Sequence, residues 1–195
     1  MTCIFNMELK DFALQYINFL PYSERNVKII EHYFDLTRVL SPDQRKMLRS
    51  VVVNNETSVY KYYRGMGATT AIDAFLAVEA FMSEEPMNIF IMCPWMNMCE
   101  EHNKNFRRFL EQLPISLNEV FTDEKIYKAI TKTYIELKNG VRIFFDTPRP
   151  DKLCGLSIDY MVFDECNLLD TSYLAYVRPS GKKITINTDF ADLRP

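Results

Sequence analysis

The sequence predicts an α/β fold in which a central, mostly parallel β-sheet is flanked by helices. Short apolar or β-branched segments at 57–63, 87–93, 158–163 and 183–188 predict strands. Longer segments without glycine or proline, at 69–82 and 97–113, predict helices between them. Because strands that alternate with helices usually pair in parallel, these patterns predict one sheet covered by helices.

The chain of 195 residues is predicted to form one domain. Hydrophobic residues make up 48% of it, which is enough for a full core, and no run of eighteen apolar residues predicts a membrane span. We expect a helical N-terminal segment at 1–40, with helices at 7–20 and 24–40, packed on a domain at 41–195. Another helix is predicted at about 41–53, with Ser41 as N-cap, Pro42 at its first position and Gln44 closing a capping box.

Charge and cysteine content exclude several classes of protein. The formal net charge of -3 argues against a generally basic nucleic-acid binder. The five cysteines lack metal-ligand spacing, and the N-terminus lacks a secretory signal, so reduced thiols in a cytosolic compartment are expected.

Cys99 and His102 lie three apart on a predicted helix; we interpret them as core or surface residues, with a metal pair as the alternative. Two basic clusters are interpreted as solvated faces, with DNA contact left open: Lys104, Arg107 and Arg108, and Lys125, Lys128 and Lys132.

A glycine-containing loop follows the first strand and opens the helix at 69–82. It reads Tyr62-Tyr63-Arg64-Gly65-Met66-Gly67-Ala68-Thr69-Thr70. In the pattern GxxxxGK[ST], backbone N-H groups cradle phosphates, the lysine reaches the β and γ phosphates, and the hydroxyl holds Mg²⁺. Tyr62 stands at the first glycine position and Ala68 at the lysine position. The strand, loop and buried helix still predict a phosphate site, with a simple tight turn as the alternative.

An acid pair ends the predicted strand at 158–163. Asp164 and Glu165 follow a short apolar run, as in a Walker B segment, where the aspartate helps to hold Mg²⁺ and the glutamate polarises the attacking water. The alternative is a solvated strand end. Together with the loop, this segment predicts a P-loop NTPase fold of the ASCE type. A β-hairpin at 134–145, turning at Asn139-Gly140, interrupts the alternation of strands and helices.

These segments resemble the ATPase domain of the large terminase subunit, the DNA-packaging motor of tailed bacteriophages and related viruses. The resemblance spans about 40–189 and rests on four features: Gln44 with its helix, the loop 64–70, the hairpin before Walker B, and residues 161–166. The strand at 184–189 is similar to the Ser/Thr-rich coupling motif, although Asp189 replaces its usual proline.

The resemblance implies a site for ATP and Mg²⁺. Residues 64–70, namely Arg64, Gly65, Met66, Gly67, Ala68, Thr69 and Thr70, would contact the nucleotide, and Thr69 and Asp164 would hold the metal. Glu165 would be catalytic. Gln44 would read adenine, or else serve only as a capping-box residue. Arg64 would act on the γ phosphate as an arginine finger in cis, or else is a surface arginine.

The resemblance also implies partners: portal, small terminase subunit and double-stranded DNA, in a homo-oligomeric ring within the cytoplasm of the infected host cell. No membrane partner is expected. Three departures bear on activity. Ala68 removes the lysine, Cys154-Gly155 stands where Arg-Gly is expected, and the nuclease domain of a complete terminase is not expected in this chain. A split motor would need a separate nuclease chain.

Two functions therefore remain open at the level of sequence. The first is a packaging ATPase in which Arg64 replaces the lysine and hydrolysis is slow. The second is a degenerate terminase-like protein that acts as a nucleotide- or partner-binding regulatory module. A helicase-like ATPase fits less well, because only one such domain is present and the hairpin is typical of the packaging family.

Overall fold

The computed structural model describes residues 41, 42, 44, 58–62, 67–113, 126–148, 157–165, 168–169 and 182–188. Its elements, in chain order, are β1 (Ser58–Tyr62), α1 (Ala68–Met82), β2 (Asn88–Met92), α2 (Met96–Gln112), β3 (Tyr127–Ile130), β4 (Tyr134–Leu137), β5 (Arg142–Asp146), β6 (Tyr160–Phe163) and β7 (Lys182–Thr188). Pro42 and Gln44 are helical, as predicted. The predicted helices at 7–20 and 24–40 and most of the one at 41–53 lie outside the described residues.

The described strands form one sheet with the order β1-β7-β6-β2-β5-β4-β3. The run from β1 to β5 is parallel throughout, and β4 and β3 extend it as antiparallel strands. The predicted mixed, mostly parallel sheet and its hairpin are therefore confirmed. Strand β3 was not predicted, because its four residues are half exposed at the sheet edge and carry only a weak alternation.

Both faces of the sheet are covered, as expected for buried parallel strands. In β2, Ile89 and Ile91 join one apolar cluster, and Phe90 and Met92 join a second cluster on the opposite face. The first cluster contains α1 and α2 and is the larger core. The second includes Phe163 of β6, which ends at the acid pair. The strand that carries the acids is therefore held from both sides.

Helix α1 is buried along nearly its whole length. Every residue from 71 to 81 is buried, and alanines recur at 71, 74, 77 and 80. Helix α2 packs against α1. Helix α2 is amphipathic, and the predicted inward residues Phe106, Phe109, Leu110 and Leu113 are buried. Two acids, Asp73 and Glu79, are also buried on α1.

The hairpin turn is attached to the end of α1. The Asn139 side-chain amide donates to the Ala80 and Ser83 carbonyl oxygens at 2.9 and 3.0 Å, so it satisfies carbonyl groups that a helix end leaves without partners. Gly140 has a φ of 87°, and a Cβ there would lie 3.2 Å from Pro86 Cγ. The predicted Asn-Gly turn thus fixes both the hairpin and the helix C-terminus.

Candidate nucleotide site

The candidate site lies where the parallel strands end. Strand β6 leads directly into Asp164 and Glu165, and β1 leads towards Gly67 at the start of α1. The Asp164 backbone N-H donates to the Met92 carbonyl at 3.0 Å, so the acid pair is joined to the end of β2. In open α/β sheets, ligands bind at this carboxyl edge.

Gly67 forms the N-cap of α1 in the left-handed conformation, with a φ of 72°. Glycine adopts this conformation without the strain that a side chain adds. No side chain caps this helix N-terminus in the part of the chain that the structure describes. The unpaired N-H groups of the first turn and the positive end of the helix dipole therefore favour an anion here.

Gln44 connects the predicted N-terminal helix start to this loop. Its backbone N-H donates to Ser41 Oγ at 3.1 Å, and its Oε1 accepts from the Ser41 N-H at 2.8 Å, which confirms the capping box. Its Nε2 donates to the Gly67 carbonyl at 3.1 Å. A Cβ on Gly67 would lie only 2.8 Å from Gln44 Nε2, so a side chain at position 67 would disturb this contact. Gln44 is thus close to the phosphate loop, while its contact with adenine stays a prediction.

Thr69 and Asp164, the predicted metal ligands, meet directly. Thr69 Oγ1 donates to Asp164 Oδ2 at 3.0 Å, across 95 positions of the chain. The Glu165 backbone N-H donates to the other carboxylate oxygen, Asp164 Oδ1, at 3.0 Å. A hydroxyl and a carboxylate are oxygen ligands of the kind that Mg²⁺ takes. The donor set therefore fits this metal.

The remaining loop residues divide into two groups. Ala68 is nearly fully buried in the first turn of α1, with Thr70 half-buried beside Thr69. Ala68 brings no cation to the site. Arg64, Gly65 and Met66 lie outside the described residues, as does Cys154. The predicted replacement of the lysine by Arg64 therefore stays a prediction.

Glu165 has an unusual backbone. Its φ of 51° places it in the left-handed region, and no other non-glycine residue of the described part has a positive φ. Such conformations are strained for residues with side chains and cluster at functional sites. The Glu165 carbonyl accepts from the Leu168 N-H at 2.8 Å, which closes the turn after β6. The strain coincides with the predicted catalytic residue.

His102 belongs to this cluster, although the sequence did not assign it there. Its Nε2 lies 3.1 Å from Asp164 Oδ2, and its Nδ1 lies 2.6 Å from Asp73 Oδ1. Asn105 donates to the second oxygen of Asp73 at 3.0 Å. Asp73, His102 and Asp164 are all almost completely buried. Helices α1 and α2 thus bring a histidine between the carboxylates of Asp73 and of Asp164, the predicted metal ligand.

The charges of this cluster support one another. Burial alone lowers the pKa of His102, but Asp73 and Asp164 outweigh burial and raise it to about 10. Burial raises the pKa of Asp73, against the opposing effects of His102 and Asn105. Both raised pKa values favour the retention of a proton by the Asp73–His102 pair. A histidine with a raised pKa can donate from both ring nitrogens, which suits its contacts with one oxygen of Asp73 and one of Asp164.

The alternative interpretation of Cys99 and His102 as two metal ligands has no support in the described residues. Within the described ranges, no group of three or more His, Cys, Asp and Glu residues could hold a metal ion. Cys99 is buried and lies beside Cys93, in agreement with the preferred interpretation of a core residue. His102 is buried for another reason, its bonds to two acids. The signal in the sequence was Asp73, one of two acids inside a mostly apolar helix.

No protein-family model and no curated protein matches the sequence. Solved structures do match its fold. The large terminase of bacteriophage HK97 superposes with a TM-score of 0.63 at 16% identity, over 86% of this chain and 38% of that one. A mutant of the Thermus phage P74-26 large terminase ATPase domain gives a TM-score of 0.52 at 18% identity, over 74% of this chain and 63% of that one. The chain has the fold of a large terminase ATPase domain.

A further match is the large terminase of a thermophilic bacteriophage in complex with ADP, with a TM-score of 0.50 at 16% identity, over 86% of this chain and 39% of that one. The P-loop NTPase fold expected from the resemblance is therefore confirmed. The present chain spans about two-fifths of the length of the two complete terminases, with 38% and 39% of those chains covered. Within the described residues of this terminase-like chain, no helix is long and apolar enough to cross a membrane.

Proposed function

We propose that the chain is the ATPase domain of a viral DNA-packaging motor, which binds ATP with Mg²⁺ and couples hydrolysis to the translocation of double-stranded DNA. The observation that carries the proposal is the hydrogen bond from Thr69 to Asp164. It joins the first turn after a glycine loop to the end of a buried strand, within a large terminase ATPase fold. That is where a P-loop NTPase holds its metal and phosphates.

The described residues supply three parts of the reaction. The open N-terminus of α1 binds phosphate oxygens through backbone N-H groups. Thr69 and Asp164 hold Mg²⁺, which neutralises charge on the phosphates when bound. Glu165 orients and polarises the attacking water. Its left-handed backbone conformation sets the direction in which its side chain leaves the chain. Gln44, at the base of the loop, contacts the adenine.

Hydrolysis is proposed to be slow. Ala68 leaves the developing charge on the γ phosphate without its usual lysine. Loss of one such stabilising contact costs roughly 10²-fold in rate or more. In this proposal Arg64, at the entrance of the loop, supplies the replacement cation.

One observation favours a second function. Ala68 is almost buried and apolar at the position of the lysine, which suits a protein that binds nucleotide or a partner without turning it over. In that case the chain is a degenerate terminase-like regulatory module. Asp164 and Glu165 favour the first function, since an inactive module has no need of the catalytic acid.

The test measures binding and hydrolysis on one sample, by calorimetry and by phosphate release, with and without Mg²⁺. We compare the unmodified chain with Arg64→Ala, Ala68→Lys and Glu165→Gln. Arg108→Ala is the matched control, because it removes an arginine from the exposed face of α2. A working motor domain hydrolyses ATP slowly, loses this activity with Arg64→Ala and Glu165→Gln, and keeps it with Arg108→Ala.

Other outcomes separate the alternatives. Binding without hydrolysis, with turnover gained in Ala68→Lys, supports the regulatory module. Absence of nucleotide binding in every variant contradicts both proposals. Hydrolysis at ordinary motor rates in the unmodified chain contradicts the proposed role of Ala68.

The proposed setting follows the same family. The motor would assemble as a homo-oligomeric ring on the portal, with the small terminase subunit and double-stranded DNA, in the cytoplasm of the infected host cell. Sedimentation with and without ATP and linear duplex DNA tests the ring: a monomer under every condition counts against it.

A further inference from the structure

We propose that His102 is a positioning residue that fixes the orientation of the Asp164 carboxylate for Mg²⁺, and that Asp73 holds the His102 ring in place. This inference rests on the proposed function, because it concerns the same metal site. Its basis is the chain of side-chain contacts Asn105–Asp73–His102–Asp164–Thr69, with distances from 2.6 to 3.1 Å.

The geometry fixes the imidazole at both ends. Nδ1 is bonded to one oxygen of Asp73, and Asn105 holds the other oxygen of the same carboxylate. The ring therefore cannot rotate about its own axis without breaking the bond to Asp73. Since both helices that carry these residues are packed in the larger core, the donor Nε2 points at Asp164 from a rigid support.

The carboxylate of Asp164 is held in turn. Oδ2 faces both Thr69 Oγ1 and His102 Nε2, while Oδ1 accepts the Glu165 N-H. Without His102, Thr69 would be the remaining donor to Oδ2 among the described residues, and the carboxylate would be freer to turn. Mg²⁺ demands near-ideal octahedral geometry, so a pre-set carboxylate favours its binding. Residues that orient metal ligands commonly change metal affinity by 10–100-fold when altered.

The charged groups around His102 also indicate a role for this residue at the site. Asp73 and Asp164 are two buried carboxylates, and His102 is the cationic group that the described residues bring between them. A neutral apolar side chain at 102 would leave two like charges to repel each other between α1 and the end of β6.

The experiment compares two neutral amides at position 102. The amide nitrogen of glutamine is as many bonds from Cα as His Nε2, so His102→Gln keeps a donor for Asp164. The amide nitrogen of asparagine corresponds to Nδ1, so His102→Asn keeps only the bond to Asp73. Both variants carry a neutral amide, and they differ in which aspartate its nitrogen reaches: Asp164 from glutamine, Asp73 from asparagine. Asn103→Ala is the matched control, because Asn103 is a buried polar neighbour on α2 that donates to the Thr131 carbonyl instead.

The first readout is the gain in ADP affinity on adding Mg²⁺, measured by calorimetry in chelator and in excess Mg²⁺. We expect His102→Asn to reduce this gain by roughly tenfold or more. His102→Gln should restore most of the gain, and Asn103→Ala should leave it unchanged. Affinity for ADP without metal should be the same in all four proteins. Equal Mg²⁺ dependence in the two His102 variants overturns the inference.

The second readout needs no nucleotide and so separates this inference from the proposed function. The Glu165 amide is bonded to Asp164 Oδ1, and its hydrogen exchange reports whether that carboxylate stays in place. We expect exchange to be faster in His102→Asn than in His102→Gln by roughly tenfold, the equivalent of one hydrogen bond. If the chain binds no ADP, the proposed function fails, and equal Glu165 exchange in the two variants still refutes positioning by His102.

Discussion

Two regions of the molecule use the same kinds of charged side chain in opposite ways. At the carboxyl edge of the sheet, Asp73, His102 and Asp164 are buried and bonded in a fixed chain. On the outer face of α2 and the β3–β4 hairpin, three ion pairs each have an exposed lysine: Lys104–Glu101, Lys128–Glu136 and Lys132–Glu100. The N···O distances in both regions are within ion-pair range. The two sets of ion pairs therefore differ in burial and not in contact distance.

The difference shows what burial of charge implies. A buried carboxylate loses its hydration and needs specific partners, which is a cost that stability alone does not explain. An ion pair in solvent adds little to the stability of the fold and restricts its two side chains only weakly. The buried group therefore indicates a site, whereas the surface pairs agree with the interpretation of the basic clusters as solvated faces. Lys132 and Lys104 do line an open cavity of about 300 Å³ beside α2.

The largest expected effect is that of His102→Leu on stability. The change leaves Asp73 and Asp164 buried without their shared cation, and breaking such a pair costs about 3–5 kcal/mol. Urea unfolding measures the free energy. Asn103→Ala, which loses one neutral donor nearby, should cost about 1–2 kcal/mol. Equal losses in the two variants would contradict the view that charge, not packing, makes this position sensitive.

The next effect is a pH dependence that belongs to His102. Its pKa is about 10 in the folded chain against 6.5 for the ordinary residue, so the folded state binds the extra proton. The stabilisation is complete below about pH 6.5 and is lost as the pH rises through about 10. Unfolding measured across this range should show a steeper fall for the unmodified chain than for His102→Gln. Parallel curves would mean that the ring is neutral in the fold.

A smaller effect is expected at the C-terminal end of α1, away from the cluster of Asp73, His102 and Asp164. Asn139→Ala removes two hydrogen bonds from the Ala80 and Ser83 carbonyls, for a loss of about 1–2 kcal/mol. Asn97→Ala, at an exposed position on α2, should change the free energy of unfolding by less than about 0.5 kcal/mol. ADP affinity should be unchanged in both. A change in ADP affinity for Asn139→Ala would mean that the two ends of α1 are coupled.

The smallest effect is expected for Lys132→Ala. Its pair with Glu100 is exposed, so its removal should change the free energy of unfolding by about 0.5 kcal/mol or less. The effect should vanish at high salt, because salt screens exposed charges. A loss comparable to that of His102→Leu would remove the distinction between the two regions.

Local patterns predicted much of this fold. The strand, loop and buried helix at 57–82, the amphipathic α2 and the Asn-Gly hairpin each depend on neighbours in sequence, and the described parts of each agree with the prediction. The capping box of Ser41 and Gln44 is equally local. Strand β3 was missed because an edge strand buries little and needs only a weak pattern.

In the candidate site, too, the residues that belong to local motifs were predicted and the residue that depends on tertiary contacts was not. Asp164, Glu165, Gly67 and Thr69 could be assigned from motif and order, since the chemistry of phosphate and Mg²⁺ requires those residue types at a loop and a strand end. The sequence could not assign His102, which lies 29 positions from Asp73 and 62 from Asp164. As a lone histidine on a helix it had no pattern to distinguish it from a core residue.

The sequence by itself determined the class of fold, the loop without a lysine and the acid pair, because each is written in adjacent residues and in the periodicity of burial. Only the tertiary structure decided that α1 and α2 pack so closely that an acid on one meets a histidine on the other, behind Asp164. Such a meeting depends on how two helices cross and on which faces the sheet leaves for them. Neither is encoded within either helix alone, so the buried charges could be related only once the chain was folded.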